Sequence, residues 1–97
     1  GDPWRMGILR SYLALYATDM GDYAAAARYH QENLAAAIEH GQRKQAAELL
    51  SNLGHVARLV GDGTRSRDYY ERSLAIYREL NDAQGVESIA QALQEMA

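Results

Sequence analysis

Three histidines are the residues best suited to metal binding or acid–base catalysis. His30, His40 and His55 fall on different predicted helices or helix faces, and the sequence has no His-Glu-x-x-His motif. Cysteine is absent, which excludes thiolate metal sites and disulfides. We therefore expect no metal, no cofactor and no enzymatic activity. His30 is expected to be a partly buried packing residue with its hydrogen bonds satisfied.

Two further features have the composition of ligand sites but fit turns and solvated surface better. The segment GDGT at 61–64 lies between predicted helices, whereas a phosphate-binding loop follows a strand. The fourth predicted helix is locally basic, but neighbouring acids and a net charge of −3 oppose nucleic-acid binding. Its arginines are Arg65, Arg67, Arg72 and Arg78. The longest apolar run, at 12–17, is too short to span a membrane. We expect neither nucleic acid nor membrane as a partner, with a helical nucleic-acid binder as a weaker alternative.

The elements that position these residues are predicted to be five helices. Good helix formers dominate, and phenylalanine is absent. Glycines near every twentieth residue are interpreted as helix ends and turns; they are Gly21, Gly41, Gly61, Gly63 and Gly85. The predicted helices run from Asp2 and Pro3 to about Asp19, from Asp22 to about His40, from about Gln42 to Val60, from Asp62 or Thr64, and from Asn81 or Asp82. Connections this short make neighbouring helices antiparallel.

The chain repeats itself at an interval of forty residues. When residues 7–57 are aligned with residues 47–97, twelve of the 51 pairs are identical, including the Gly-Asp pair at 21–22 and 61–62. Each unit is a helix, a turn and a second helix. One such hairpin cannot bury both of its apolar stripes, so the repeat predicts stacked hairpins. Leu53 and Tyr70 are expected to be core residues that face each other within the second hairpin.

The repeated residues resemble the tetratricopeptide repeat family. The second unit carries the pattern most fully, with Leu50, Leu53, Gly54 and Ala57, then Ser66, Tyr70 and Ser73. The interval of forty is longer than the usual repeat, as in the variant typical of bacterial regulators, and we expect the extra length in the second helix and the following loop. The resemblance implies an all-α solenoid forming one domain over residues 1–97. Repeat 1 covers about 7–41, repeat 2 about 47–81, and a C-terminal helix 82–97. The start, which lacks methionine, suggests a fragment of a larger protein.

In this family the first helix of each repeat lines a concave groove, which implies a protein or peptide partner. The repeat register places five candidate groove residues there: Tyr12, Leu15, Asn52, His55 and Gln91. The amide of Asn52 could hold the backbone of an extended peptide, since an amide both donates and accepts hydrogen bonds; an exposed polar residue without a ligand is an equal alternative. The other function class is a structural or oligomerisation segment of a larger bacterial regulator. A cytoplasmic location is expected.

The two terminal helices carry more apolar residues than one neighbouring hairpin covers. The first has Trp4, Ile8, Tyr12, Leu15 and Tyr16 around much of its circumference. The last has Val86, Ile89, Leu93 and Met96 on one side and a polar opposite side, so it is either a solubilising cap or an exposed interface. We therefore predict weak self-association, most simply a two-fold dimer, through one of these ends.

Overall fold

The structure, a computed structural model, describes residues 3–96, with the side chains of residues 5–96. It consists of five α-helices: α1 (Pro3–Asp19), α2 (Tyr23–Glu39), α3 (Arg43–Leu59), α4 (Gly63–Glu79) and α5 (Ala83–Glu95). The predicted cap Asp2 and the side chain of Trp4 lie outside the described part. The first four helices have 17 residues each and three residues connect each pair. The two helices of each hairpin are therefore equal in length, and the placement of the extra repeat length in the second helix and the following loop stays a prediction.

All four connections adopt the same turn, a Schellman motif. At the first, the Gly21 N–H donates to Thr18 O and the Asp22 N–H donates to Ala17 O, and the same pair of bonds recurs at every twentieth residue. The motif needs one residue with positive φ, which Gly21, Gly41 and Gly61 supply at 79°, 67° and 84°. Asn81 takes this place in the last turn with a φ of 55°. This turn of three residues after each helix of 17 residues gives the chain its twenty-residue period.

The last residue of each turn is also the N-cap of the next helix. The carboxylates of Asp22, Asp62 and Asp82 accept hydrogen bonds from the backbone three residues on, at 3.0–3.2 Å. These caps select Asp62 over Thr64 and Asp82 over Asn81. Gly63 is the first residue of α4 and so lies at a helix end, as predicted, whereas Gly85 lies inside the first turn of α5, where its interpretation as a helix end or turn residue is wrong.

Buried polar side chains fasten the two helices of each hairpin together. The Ser73 hydroxyl donates to Ala47 O at 2.7 Å, and the amide of Asn33 donates to Gly7 O at 3.1 Å, forty residues earlier on both helices. In the second hairpin the Ser66 hydroxyl adds a 2.7 Å bond to Gly54 O. Each side chain reaches a helix carbonyl only if the two helices approach closely.

Two glycines permit that approach where a tyrosine ring lies across the neighbouring helix. A Cβ built on Gly54 would lie 3.0 Å from the ring of Tyr70, and one on Gly85 would lie 2.5 Å from Cγ of Tyr77. Both rings are buried. Gly54 therefore permits the close approach of the two helices within a hairpin, and Gly85 permits that of α4 and α5.

The core consists of three clusters that follow the stack. One joins α2 to α3 and contains Leu34, Leu50 and Leu53; another joins α3, α4 and α5 around Tyr70, Tyr77 and Ile89. The third joins α1, α2 and α3 through Ala17, Ala26 and Val56. Leu53 and Tyr70 are thus both core residues, as predicted, and they belong to different clusters. Tyr70 packs on Gly54, one residue further along α3. That Leu53 and Tyr70 face each other stays a prediction.

The three- and four-residue spacing of apolar residues predicts that Val60, Leu80 and Ala90 continue the apolar stripes of their helices, but all three lie in solvent. Val60 and Leu80 are 56 % and 39 % exposed because they are the C-cap residues of α3 and α4, past the last buried turn. Ala90 is exposed on the outer side of α5. The described residues form a slab of 39 × 30 × 18 Å.

Candidate peptide-binding cleft

An open cleft lies between α1 and α3, above the C-terminal half of α2. Its volume is about 500 Å³. The side chains that decide its chemistry come from all three helices; they are Ile8, Ser11, Asn33, Glu48, Leu49 and Asn52. Because α1 and α3 occupy equivalent positions in successive repeats, residues forty apart, such as Ile8 and Glu48, both line the cleft.

The α1 wall of the cleft is fixed by a buried asparagine. The Asn33 amide nitrogen donates to Gly7 O at 3.1 Å and to Ser11 Oγ at 3.2 Å, while its oxygen accepts from Arg10 Nη1 at 3.4 Å. Arg10 in turn pairs with Glu32 at 3.2 Å. Asn33 is therefore committed to the scaffold and leaves little capacity for a ligand.

The α3 wall, by contrast, presents polar groups to solvent. Asn52 is exposed, and its side chain makes no hydrogen bond to another residue of the described part. Gln45 and Glu48 precede it on the same side of α3 and also line the cleft. This row of two amides and a carboxylate offers both donors and acceptors at helical spacing, which is what an extended backbone requires.

The charge of the cleft is set by Glu48. No lysine or arginine occurs among its described lining residues. A carboxylate at this place disfavours an acidic segment and favours a basic one over a neutral one.

The five predicted groove residues are not brought together in this cleft. Asn52 lines it, whereas Tyr12, Leu15, His55 and Gln91 are exposed outside its lining. Their role in binding stays a prediction. Sequence reasoning missed the lining residues Asn33 and His40, because the repeat register was applied only to the first helix of each hairpin. It also missed Gln45, which lies on α3 before the residues that the register selected. The available signal was Asn33 itself, an asparagine of α2 at the position where the second repeat has the small, buried residue Ser73.

The basic residues of α4 are partly engaged with their own surroundings. Arg65 Nε lies 3.9 Å from the carboxylate of Asp62, and the guanidinium of Arg72 lies 5.9 Å from the centre of the Tyr69 ring. Tyr69 also accepts a 3.4 Å hydrogen bond from Gln31 of α2. A smaller cleft of about 210 Å³ lies on this side, between α2 and α4.

The predicted hydrogen bonding of His30 is wrong. Its Nδ1 is buried and has no hydrogen-bond partner among the described residues. Burial lowers the pKa of His30 below its usual value of 6.5, since the charged form is poorly solvated. His30 is therefore a packing residue held neutral. Within residues 3–96, no group of three His, Asp or Glu side chains could hold a metal ion. None of the helices described there is long and apolar enough to cross a membrane.

Comparison with protein-family models matches residues 5–79 to the tetratricopeptide repeat. A comparison with curated proteins gives no significant match. The matched residues include all of α2, α3 and α4, and therefore both Gly-Asp turns and the bonds of Asn33 and Ser73. The match and the five-helix stack confirm the predicted all-α repeat fold: the chain belongs to the tetratricopeptide repeat family.

Proposed function

We propose that the chain is a protein-interaction module that binds an extended peptide in the cleft between α1 and α3. The observation that carries this proposal is the side chain of Asn52, which lines the cleft, is exposed, and has no hydrogen-bond partner among the described residues. Membership of a family that generally mediates protein–protein interaction supports the same function. The proposed module covers residues 1–97, with repeats over 7–41 and 47–81 and a C-terminal helix over 82–97.

The preferred ligand is a segment that is neutral or basic and that offers free backbone amides. Asn52 would donate to one peptide carbonyl and accept from the N–H of the same residue. Glu48 would then lie about one helical turn away, where a lysine or arginine of the ligand reaches it. Leu49 and Ile8 would supply apolar contacts to the part of the peptide between Asn52 and Glu48.

Selection of a random-peptide phage library against the immobilised chain tests this function. We expect selected peptides to be enriched in lysine or arginine and to lose about tenfold or more in affinity with Asn52→Ala. Glu48→Gln should weaken basic peptides and leave neutral ones unchanged. Gln94→Ala, at an exposed amide on α5 outside the cleft, is the matched control and should have no effect. Equal binding by the parent and Asn52→Ala would show that the peptides do not bind in the cleft.

The second candidate is a structural or self-associating segment of a larger bacterial regulator in the cytoplasm. It is favoured by the apolar surface of α1, where Tyr12, Leu15 and Tyr16 are each more than 60 % exposed. Here weak homodimerisation through a terminal helix would be the function and the cleft would bind nothing. Sedimentation equilibrium tests self-association, and the phage selection above tests the cleft independently.

A further inference from the structure

One face of α1 exposes far more apolar surface than any other part of the described chain. Seven large apolar side chains on or just after this helix are at least 40 % exposed; they are Met6, Ile8, Leu9, Tyr12, Leu15, Tyr16 and Met20. Each leaves on the order of 100 Å² accessible, so the face approaches the roughly 800 Å² that each partner buries in a standard interface. The opposite end differs, because the exposed residues of α5 are polar or alanine.

The repeat register shows that this face has a polar counterpart in the next hairpin. Tyr12 and Leu15 correspond to Asn52 and His55 of α3, forty positions later, and both of these polar residues are exposed. The first helix therefore presents apolar side chains where the third presents polar ones to solvent.

Five side chains of the face are spaced symmetrically about Tyr12, and two charged residues beyond them continue the pattern. Positions 5, 8, 9, 12, 15, 16 and 19 have the same spacing from either end, whereas Met6 and Met20 lie outside this pattern. Ile8 and Tyr16 lie four residues to either side of Tyr12, and Leu9 and Leu15 lie three residues to either side. The outermost pair consists of opposite charges, Arg5 and Asp19, which are both exposed.

From this symmetry we infer that the occupant is a second copy of the chain, with α1 packed antiparallel on α1 of the partner about a two-fold axis at Tyr12. In this register Ile8 meets Tyr16 of the other copy, Leu9 meets Leu15, and Arg5 lies near Asp19. A two-fold interface must be complementary to itself, and the spacing of the apolar residues and the opposite charges of Arg5 and Asp19 satisfy that condition. Stacking of α1 on α5 of another copy is disfavoured, because it would bury the polar side chains of α5 without partners.

This inference rests on the self-association proposed above. Ile8 is common to both proposals, because it lines the cleft and also lies in the contact between copies. The inference assigns Tyr12 and Leu15, which the repeat register placed in the groove, to the contact between copies. A solution dimer is its first requirement, and the position of Tyr12 on the axis is its second.

Single-cysteine variants test the axis directly, because the parent has no cysteine. Tyr12→Cys should give a disulfide-linked dimer under mild oxidation, since residues on a two-fold axis between packed helices fall within disulfide reach. Ile38→Cys, at an exposed apolar position on α2, is the matched control and should stay largely uncrosslinked. A parent that sediments as a monomer throughout would overturn both self-association and the interface. A parent dimer for which the Tyr12→Cys variant crosslinks no faster than the Ile38→Cys variant would overturn the interface alone.

Charge reversal tests the register. Arg5→Asp and Asp19→Arg should each weaken the dimer about tenfold, because each places like charges together at two symmetry-related sites. The double variant exchanges the two charges and should recover to within about threefold of the parent. Circular dichroism checks that every variant stays folded. Weakening by the single changes without recovery in the double variant would rule out the Arg5–Asp19 register.

Discussion

The hydroxyl of Ser73 donates a 2.7 Å hydrogen bond to the backbone carbonyl of Ala47, and both residues are fully buried. The carbonyl already belongs to the hydrogen-bond ladder of α3, so Ser73 uses its second lone pair. Asn33 and Gly7 occupy the same two positions in the first hairpin. Each repeat thus has one polar side chain of the second helix that fixes its distance from the first.

Removal of this bond should destabilise the stack measurably without unfolding it. For Ser73→Ala we expect a loss of about 1 kcal/mol, since the carbonyl keeps its helical partner and only one net hydrogen bond disappears. Urea unfolding followed by circular dichroism gives the free energy of unfolding. Ser88→Ala, at an exposed serine of α5, should change it little. Equal losses for Ser73→Ala and Ser88→Ala would argue against a role for this bond.

Turn chemistry accounts for how well the fold could be predicted. Glycine at 21, 41 and 61 and aspartate at 22, 62 and 82 specify where helices end and begin, so four turns and five helices follow from local sequence. Gly85 was misassigned because a glycine required by a neighbouring ring has no local signature. Whether a glycine is needed for φ or for space depends on a contact between helices.

The cleft could be predicted only in part for a similar reason. The register of the repeat placed Asn52 on the correct side of α3. It could not reveal that Asn33 would reach a carbonyl 26 residues earlier, because that bond exists only after α1 and α2 have packed. Sequence periodicity predicts which way a residue points, whereas the depth of a cleft depends on the packed distance between helices.

Gly85→Ala should destabilise the chain although alanine favours helices. The new methyl group would collide with the ring of Tyr77, which is buried and cannot move away without opening the contact between α4 and α5. We expect a cost of about 1–3 kcal/mol from overpacking. Gly63→Ala is the matched control: it lies in the first turn of α4 with nothing within 4 Å of the added Cβ. It should stabilise by up to about 1 kcal/mol. Thermal unfolding of both variants gives the sign of each effect.

Leu53→Ala should be among the most damaging single truncations in the chain. Leu53 is 2 % exposed and packs in the cluster that joins the two hairpins, so the change leaves a cavity between them. The expected loss is about 2–5 kcal/mol, a large fraction of the stability of so small a domain. Leu59→Ala removes the same atoms from a side chain that is 43 % exposed and should cost much less. If both variants melt within a degree or two of the parent, the core assignment of α3 is wrong.

Stability should fall on mild acidification because of His30. Burial holds its folded pKa below 6.5, so the unfolded chain binds the proton more readily than the folded one. The contribution of neutral His30 is complete above pH 6.5 and is lost as the pH falls from there towards the folded pKa. We expect His30→Leu to flatten the decline in the free energy of unfolding between about pH 7.5 and 5.5, a range in which unperturbed carboxylates stay ionised. His55→Gln, at an exposed histidine, should leave the decline unchanged. Urea titrations across this range measure the slopes, and parallel slopes for the parent and His30→Leu would show that the acid sensitivity comes from another group.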